Sequence, residues 1–189
     1  MMKRSARFTL AALTLVCTLP VAASYLAYYV WPPKDTMNYG ELLRPDPLPE
    51  GVLVGLAGQT DFARSALEGR WTLVYAGPGD CGGECEQALY ALRQTRLAQG
   101  QDMTRLDRLW LVTDDVAPAP ELLAGHEGMR VARGAPSWLE RLPASGAETH
   151  LFLVDPLGNV MMRFPAQPDI KLVIRDVQRL LKYSALGRG

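Results

Sequence analysis

The chain is poor in the features that most often betray a function. Its 20 lysines and arginines match its 20 aspartates and glutamates, so no overall field draws it to nucleic acid. It has only two histidines, His126 and His150, so any imidazole chemistry rests on those two. It has no internal repeat and no low-complexity tract, which excludes solenoid and repeat architectures. Its 189 residues allow one ordinary domain with an appendage and are too few for two large domains. Its apolar fraction of 48% excludes wholesale disorder.

A second local absence is more informative. Residues 8–31 contain no charged side chain, while Lys3, Arg4 and Arg7 precede them. Roughly 20 apolar helical residues cross the hydrocarbon core of a bilayer. Tyr25, Tyr28, Tyr29 and Trp31 crowd the far end, where aromatic rings favour the membrane interface. Residues 1–7 therefore read as a basic cytoplasmic N-terminus and residues 8–31 as a single transmembrane anchor. The positive-inside rule places everything after the anchor on the periplasmic side of a bacterial inner membrane. A cleaved signal peptide, cut after Ala23, is the competing reading, and the apolar run extends beyond that point. Cys17 lies in the span and reads as a small apolar residue.

Residues 32–50 hold Pro32, Pro33, Pro45, Pro47 and Pro49 with little periodicity and read as an extended tether. Residues 51–189 carry the pattern of a compact α/β unit. Residues 61–67 read as a short helical turn, and 71–75 and 109–113 as strands. Residues 84–98, 118–125 and 136–142 read as helices. A strand over 151–154, a turn over 155–158 and a returning strand over 160–164 follow. From Asp169, a candidate N-cap, Ile170, Val173, Ile174, Val177, Leu180 and Leu181 recur at helical spacing.

The strand at 71–75 runs through a Gly/Pro turn into Cys81 and Cys85, which open the helix. This strand, turn, paired thiols and helix resemble the active-site layout of thioredoxin-like proteins. The order of elements matches as well: α/β, a mixed sheet with flanking helices, behind one transmembrane helix. A helix N-terminus favours thiolate, the form that attacks disulfides and binds soft metals. Residues four apart on a helix share a face, so the two sulfurs can form a disulfide or bind one metal ion. Asp80, Glu84 and Glu86 surround the pair. Their charges oppose thiolate and favour a bound cation, although acidic residues also cap helices ordinarily. A merely structural bridge is the third reading, but so local a loop gains little closure entropy. Nothing supplies the Thr-X-X-Cys arrangement that resembles peroxiredoxins.

The strand, the Cys81-X-X-X-Cys85 loop and the turn at 155–158 resemble the SCO/SenC family over about residues 51–183. That resemblance implies a membrane-anchored thioredoxin fold that helps deliver copper to the copper centre of cytochrome c oxidase. It implies copper as the bound metal, Cys81 and Cys85 as ligands, and a histidine near the last hairpin. His150 is the available candidate, about three residues closer to the turn than the family pattern. Glu86 stands where family members usually have proline. The implied partners are the membrane and a respiratory oxidase copper subunit or another copper or thiol carrier. The alternative is a membrane-tethered thiol–disulfide oxidoreductase, with Cys81 attacking and Cys85 resolving.

Overall fold

The structure, a computed structural model, describes residues 3–30, 38–143 and 150–185. The chain divides into two compact units, Met1–Met37 and Asn38–Gly189. The first contains helix α1, Lys3–Val30. Its segment Arg7–Val30 has a mean hydropathy of 1.9 and is the one helix among the described residues long and apolar enough to cross a membrane. Pro20 lies inside it. Two and six residues earlier, the Thr18 and Thr14 hydroxyls donate to the Thr14 and Leu10 carbonyls at 2.8 and 2.9 Å. Such internal bonding keeps polar groups satisfied where no water is present. Trp31 and the expected stop at Pro32 and Pro33 lie outside the described residues.

The second unit is built on a six-stranded mixed sheet in the order β1-β8-β7-β4-β5-β6. Its strands are β1 (Glu41–Pro47), β4 (Trp71–Gly77), β5 (Leu106–Val112), β6 (Arg130–Arg133), β7 (Leu151–Val154) and β8 (Asn159–Arg163). β4 runs parallel to β5 and antiparallel to β7, which continues into β8 as a hairpin. A small hairpin of β2 (Val52–Leu53) and β3 (Phe62–Ala63) sits apart from this sheet. The helices are α2 (Gly83–Leu97), α3 (Pro120–Ala124), α4 (Pro136–Leu139) and α5 (Ile170–Tyr183).

All seven residues of β4 are buried, as the continuous apolar run requires of a strand covered on both faces. Alternate side chains then feed two cores. Leu73 and Tyr75 pack with Leu89 and Leu92 of α2 and Val173 and Val177 of α5. Val74 and Ala76 pack on the other face with Phe62, Leu67 and Trp138. Each fully buried large apolar side chain contributes about 1.5–3 kcal/mol. The Asp169 carboxylate caps α5 by accepting the Lys171 backbone N–H at 2.9 Å. At the hairpin, the Asp155 carboxylate accepts the N–H groups of Leu157 and Asn159, and Gly158 takes φ +83°. That left-handed backbone is why glycine ends the turn.

Two parts of the sheet differ from the sequence reading. The stretch read as a tether includes β1, which pairs antiparallel with β8. Pro45 and Pro47 are compatible with this strand because it is an edge, where a missing N–H breaks no ladder on the open side. β6 was not expected at all. It has only four residues and is closed by arginines at both ends, so its apolar signal spans two positions. The turn expected at 61–67 resolves into β3 and a single 3-10 turn, Arg64–Leu67.

Candidate functional site

α2 starts at Gly83 with Gly82 at its N-cap, so Cys81 precedes the helix and Cys85 lies in its first turn. The two are joined as a disulfide with their Cα atoms 5.2 Å apart. They are not equivalent. Cys85 is 4% exposed and belongs to the core beside Ala88 and Leu89, whereas Cys81 is half-buried at its edge. A Cβ added at Gly82 or Gly83 would meet nothing within 4 Å, so these glycines leave the approach to the sulfurs open. Asp80, Glu84 and Glu86 are exposed around the pair.

Cys81 faces a groove of about 670 Å³ whose walls include Asp80, Glu86, Glu121, Val116 and Leu122. The cysteine loop is fixed to the opposite wall of this groove through Asp114. Its Oδ1 accepts the Gly79 N–H at 2.9 Å and the Val116 N–H at 3.1 Å. A Cβ at Gly79 would collide with the Val116 carbonyl, so glycine is required for this closure. The local sequence gives little sign of what Asp114 does. Its role depends on a partner 35 residues away, and the only local signal was a polar residue following a buried strand.

His150 precedes β7, whose Leu151 lies opposite Tyr75. This register sets His150 at the end of the sheet where β4 leaves for the cysteine loop. The His150 Nδ1 lies 2.8 Å from the Phe164 carbonyl oxygen. A carbonyl can only accept, so Nδ1 carries the hydrogen and Nε2 keeps its lone pair in the neutral ring. Among the described residues, no three His, Cys, Asp or Glu side chains form a cluster able to hold a metal ion. Cys81 and Cys85 are thus brought together, while His150 shares their end of the sheet without completing such a cluster. His126 lies elsewhere, in the turn after α3. Its pKa is lowered by burial and by the nearby Arg108 and Arg93 guanidinium groups.

The chemistry of the cysteine donor set is consistent with thiol exchange or a soft metal. The outer sulfur is accessible, the inner one is shielded, and both lie at the positive end of a helix of 15 residues.

The model of the transmembrane-like, thioredoxin-like C-terminal domain family matches residues 71–184. No curated protein matches the chain by sequence. Among solved structures, copper-bound ScoI of Bradyrhizobium japonicum is similar, with a TM-score of 0.55 and 17% identity over 71% of this chain and 99% of that one. Copper-bound yeast Sco1 gives a TM-score of 0.55 and 16% identity, covering 74% of this chain and 91% of that one. The thioredoxin domain of a thiol-disulfide oxidoreductase from Bacteroides vulgatus gives 0.55 and 16%, covering 75% and 99%. At such identities the likeness is one of fold, shared by copper-binding SCO proteins and thiol-disulfide oxidoreductases.

Proposed function

Because this chain belongs to the transmembrane-like, thioredoxin-like C-terminal domain family, we propose that it is a membrane-anchored assembly factor working through Cys81 and Cys85 on the periplasmic side. In this reading it handles copper, or reduces the thiols of a copper site, for cytochrome c oxidase. The observation that carries the reading is the unequal pair: an accessible Cys81 and a shielded Cys85, four residues apart at the start of α2.

Once reduced, the two sulfurs form a soft donor set suited to Cu(I). His150 Nε2 would be the third donor, since its Nδ1–H is committed to the Phe164 carbonyl. A backbone carbonyl holding the far nitrogen is the usual way in which a ligating imidazole is oriented. Asp80, Glu84 and Glu86 add negative charge around a cationic cargo.

A second reading is favoured by the closed disulfide and by the lack of a three-residue metal cluster among the described residues. It is thiol–disulfide exchange with one partner. The Cys81 thiolate attacks a partner disulfide, and one partner thiolate leaves. The Cys85 thiolate then attacks Cys81 in the mixed disulfide and releases the second partner thiolate. The partner gains two electrons, and this chain returns to the Cys81–Cys85 disulfide.

The test is a Cu(I) titration of the reduced full chain in non-ionic detergent against a competing chelator. Tight one-to-one binding lost in Cys81→Ser and Cys85→Ser and weakened at least tenfold in His150→Ala supports copper handling. No binding, together with rapid exchange with dithiol peptides, rejects it in favour of the reductase.

A further inference from the structure

A second cleft, of about 220 Å³, lies between the C-terminal half of α2 and the turn after α3. Arg93 and Arg96 of α2 line it, together with Arg108 of β5 and Glu127. Counting along α2 from Cys85, the two helix arginines lie roughly 12–16 Å from the disulfide end at 1.5 Å per residue. The cleft is therefore separate from the cysteine groove and takes no part in the function proposed above.

Arg108 is the unusual member. It is 3% exposed, and it points to the same sheet face as Leu106 and Trp110. Its Nη2 donates to the Glu127 carbonyl at 2.5 Å, but its buried Nε and Nη1 have no hydrogen-bond partner. Arg96 uses its Nε on the Leu106 carbonyl. No carboxylate pairs with Arg93, Arg96 or Arg108 among the described residues. Burial and the neighbouring Arg96 and Arg93 guanidinium groups lower the pKa of Arg108, and burial with the Arg108 and Arg93 charges lowers that of His126. The Asp107 carboxylate is on the opposite sheet face and pairs with Arg70, and its opposing effect on Arg108 is smaller than that of burial or of either neighbouring arginine.

Buried donors without partners are costly, and natural proteins keep few of them. Guanidinium groups match the oxygens of phosphate and carboxylate in both charge and planar geometry. Three guanidiniums around one small cleft exceed what a single carboxylate can accept, whereas a phosphate offers more oxygens and up to two charges. We propose that this cleft is a phosphate site, with Arg108 as its buried floor and Arg93 and Arg96 as its rim. The phosphate can be free in solution or belong to a phospholipid headgroup, and the chemistry of recognition is the same.

The test is calorimetric titration of the full chain in non-ionic detergent with inorganic phosphate, exchanged for sodium chloride at constant ionic strength. The expected result is saturable one-to-one binding and a phosphate-dependent rise in the thermal midpoint. The exposed-side double variant Arg93→Gln/Arg96→Gln should keep the fold and lose at least tenfold in affinity. Arg108→Gln should abolish binding, with circular dichroism checking its fold. Tighter binding of dihexanoyl phosphatidic acid than of inorganic phosphate identifies a headgroup as the source; equal or weaker binding identifies free phosphate. Absence of saturable binding beyond the chloride control, or a double variant that binds like the parent, overturns the proposal.

Discussion

The Asp176 carboxylate, carried on α5 and 1% exposed, accepts the Gly40 backbone N–H at 2.8 Å and its neighbour's, from Tyr39, at 2.6 Å. The Tyr39 hydroxyl in turn accepts the Asp169 N–H at 3.0 Å, at the cap of the same helix. The chain thus enters the domain fastened to its last helix. Gly40 has no room for a side chain, because a Cβ there would lie 2.7 Å from Met162 Sδ and 2.9 Å from the Phe164 ring. Hydrogen bonds to a charged group contribute about 1.5–3 kcal/mol each, and their loss strands buried donors. Asp176→Ala, which removes both bonds, should therefore cost about 3–6 kcal/mol in urea unfolding, with Asp176→Asn milder. A variant as stable as the parent would remove this fastening from the account of the fold.

The unequal burial of the cysteines predicts an order of reactivity. In the reduced protein, a small alkylating agent should modify Cys81 at least tenfold faster than Cys85, read by mass spectrometry of quenched samples. Cys85→Ser should trap a mixed disulfide through Cys81, while Cys81→Ser should trap none. Equal rates at the two sulfurs would contradict the assignment of the outer thiol.

Asp114 holds two backbone donors that shape the cysteine loop. Asp114→Ala should lower stability by about 1–2 kcal/mol and speed reduction of the disulfide by dithiothreitol. Asp114→Asn, which retains an acceptor oxygen, should recover much of both. Unchanged reduction kinetics in the alanine variant would show that the loop keeps its shape without this tie.

The pH response follows from His126, whose pKa is lowered first by burial and then by Arg108 and Arg93. A histidine with a depressed folded-state pKa binds fewer protons folded than unfolded as the solution becomes acidic. Its contribution is intact above the unfolded value of about 6.5 and is lost as pH falls through that value towards the folded one. Urea midpoints measured from pH 7.5 down to pH 5 should fall more steeply in the parent than in His126→Gln. Parallel curves would show that the guanidinium cluster does not oppose protonation of this ring.

The sequence made legible what local pattern determines. The buried strand leading to Cys81, helix α2, the Asp155 turn and the amphipathic α5 all announce themselves by spacing and capping residues. β1 was hidden because Pro45 and Pro47 resemble a linker, and nothing local shows that Leu42 has Met162 as a partner. β6 was hidden by its brevity and its terminal arginines. The basic cleft could not be read because Arg93, Arg108 and Glu127 come from three separate segments, and only the fold makes Arg108 a buried group.

The two outer strands of the sheet have a bearing on how the domain tolerates crowding by its own copies. An exposed strand edge is a template on which another chain can polymerise. β1 offers a poor template, since Pro45 and Pro47 have no amide hydrogens to give. β6 is covered along its free side, where Leu56 donates to the Val131 carbonyl and Arg133 to the Val54 carbonyl. If the domain is anchored as proposed, and so concentrated in two dimensions, both margins are thereby guarded against edge-to-edge stacking with its own copies.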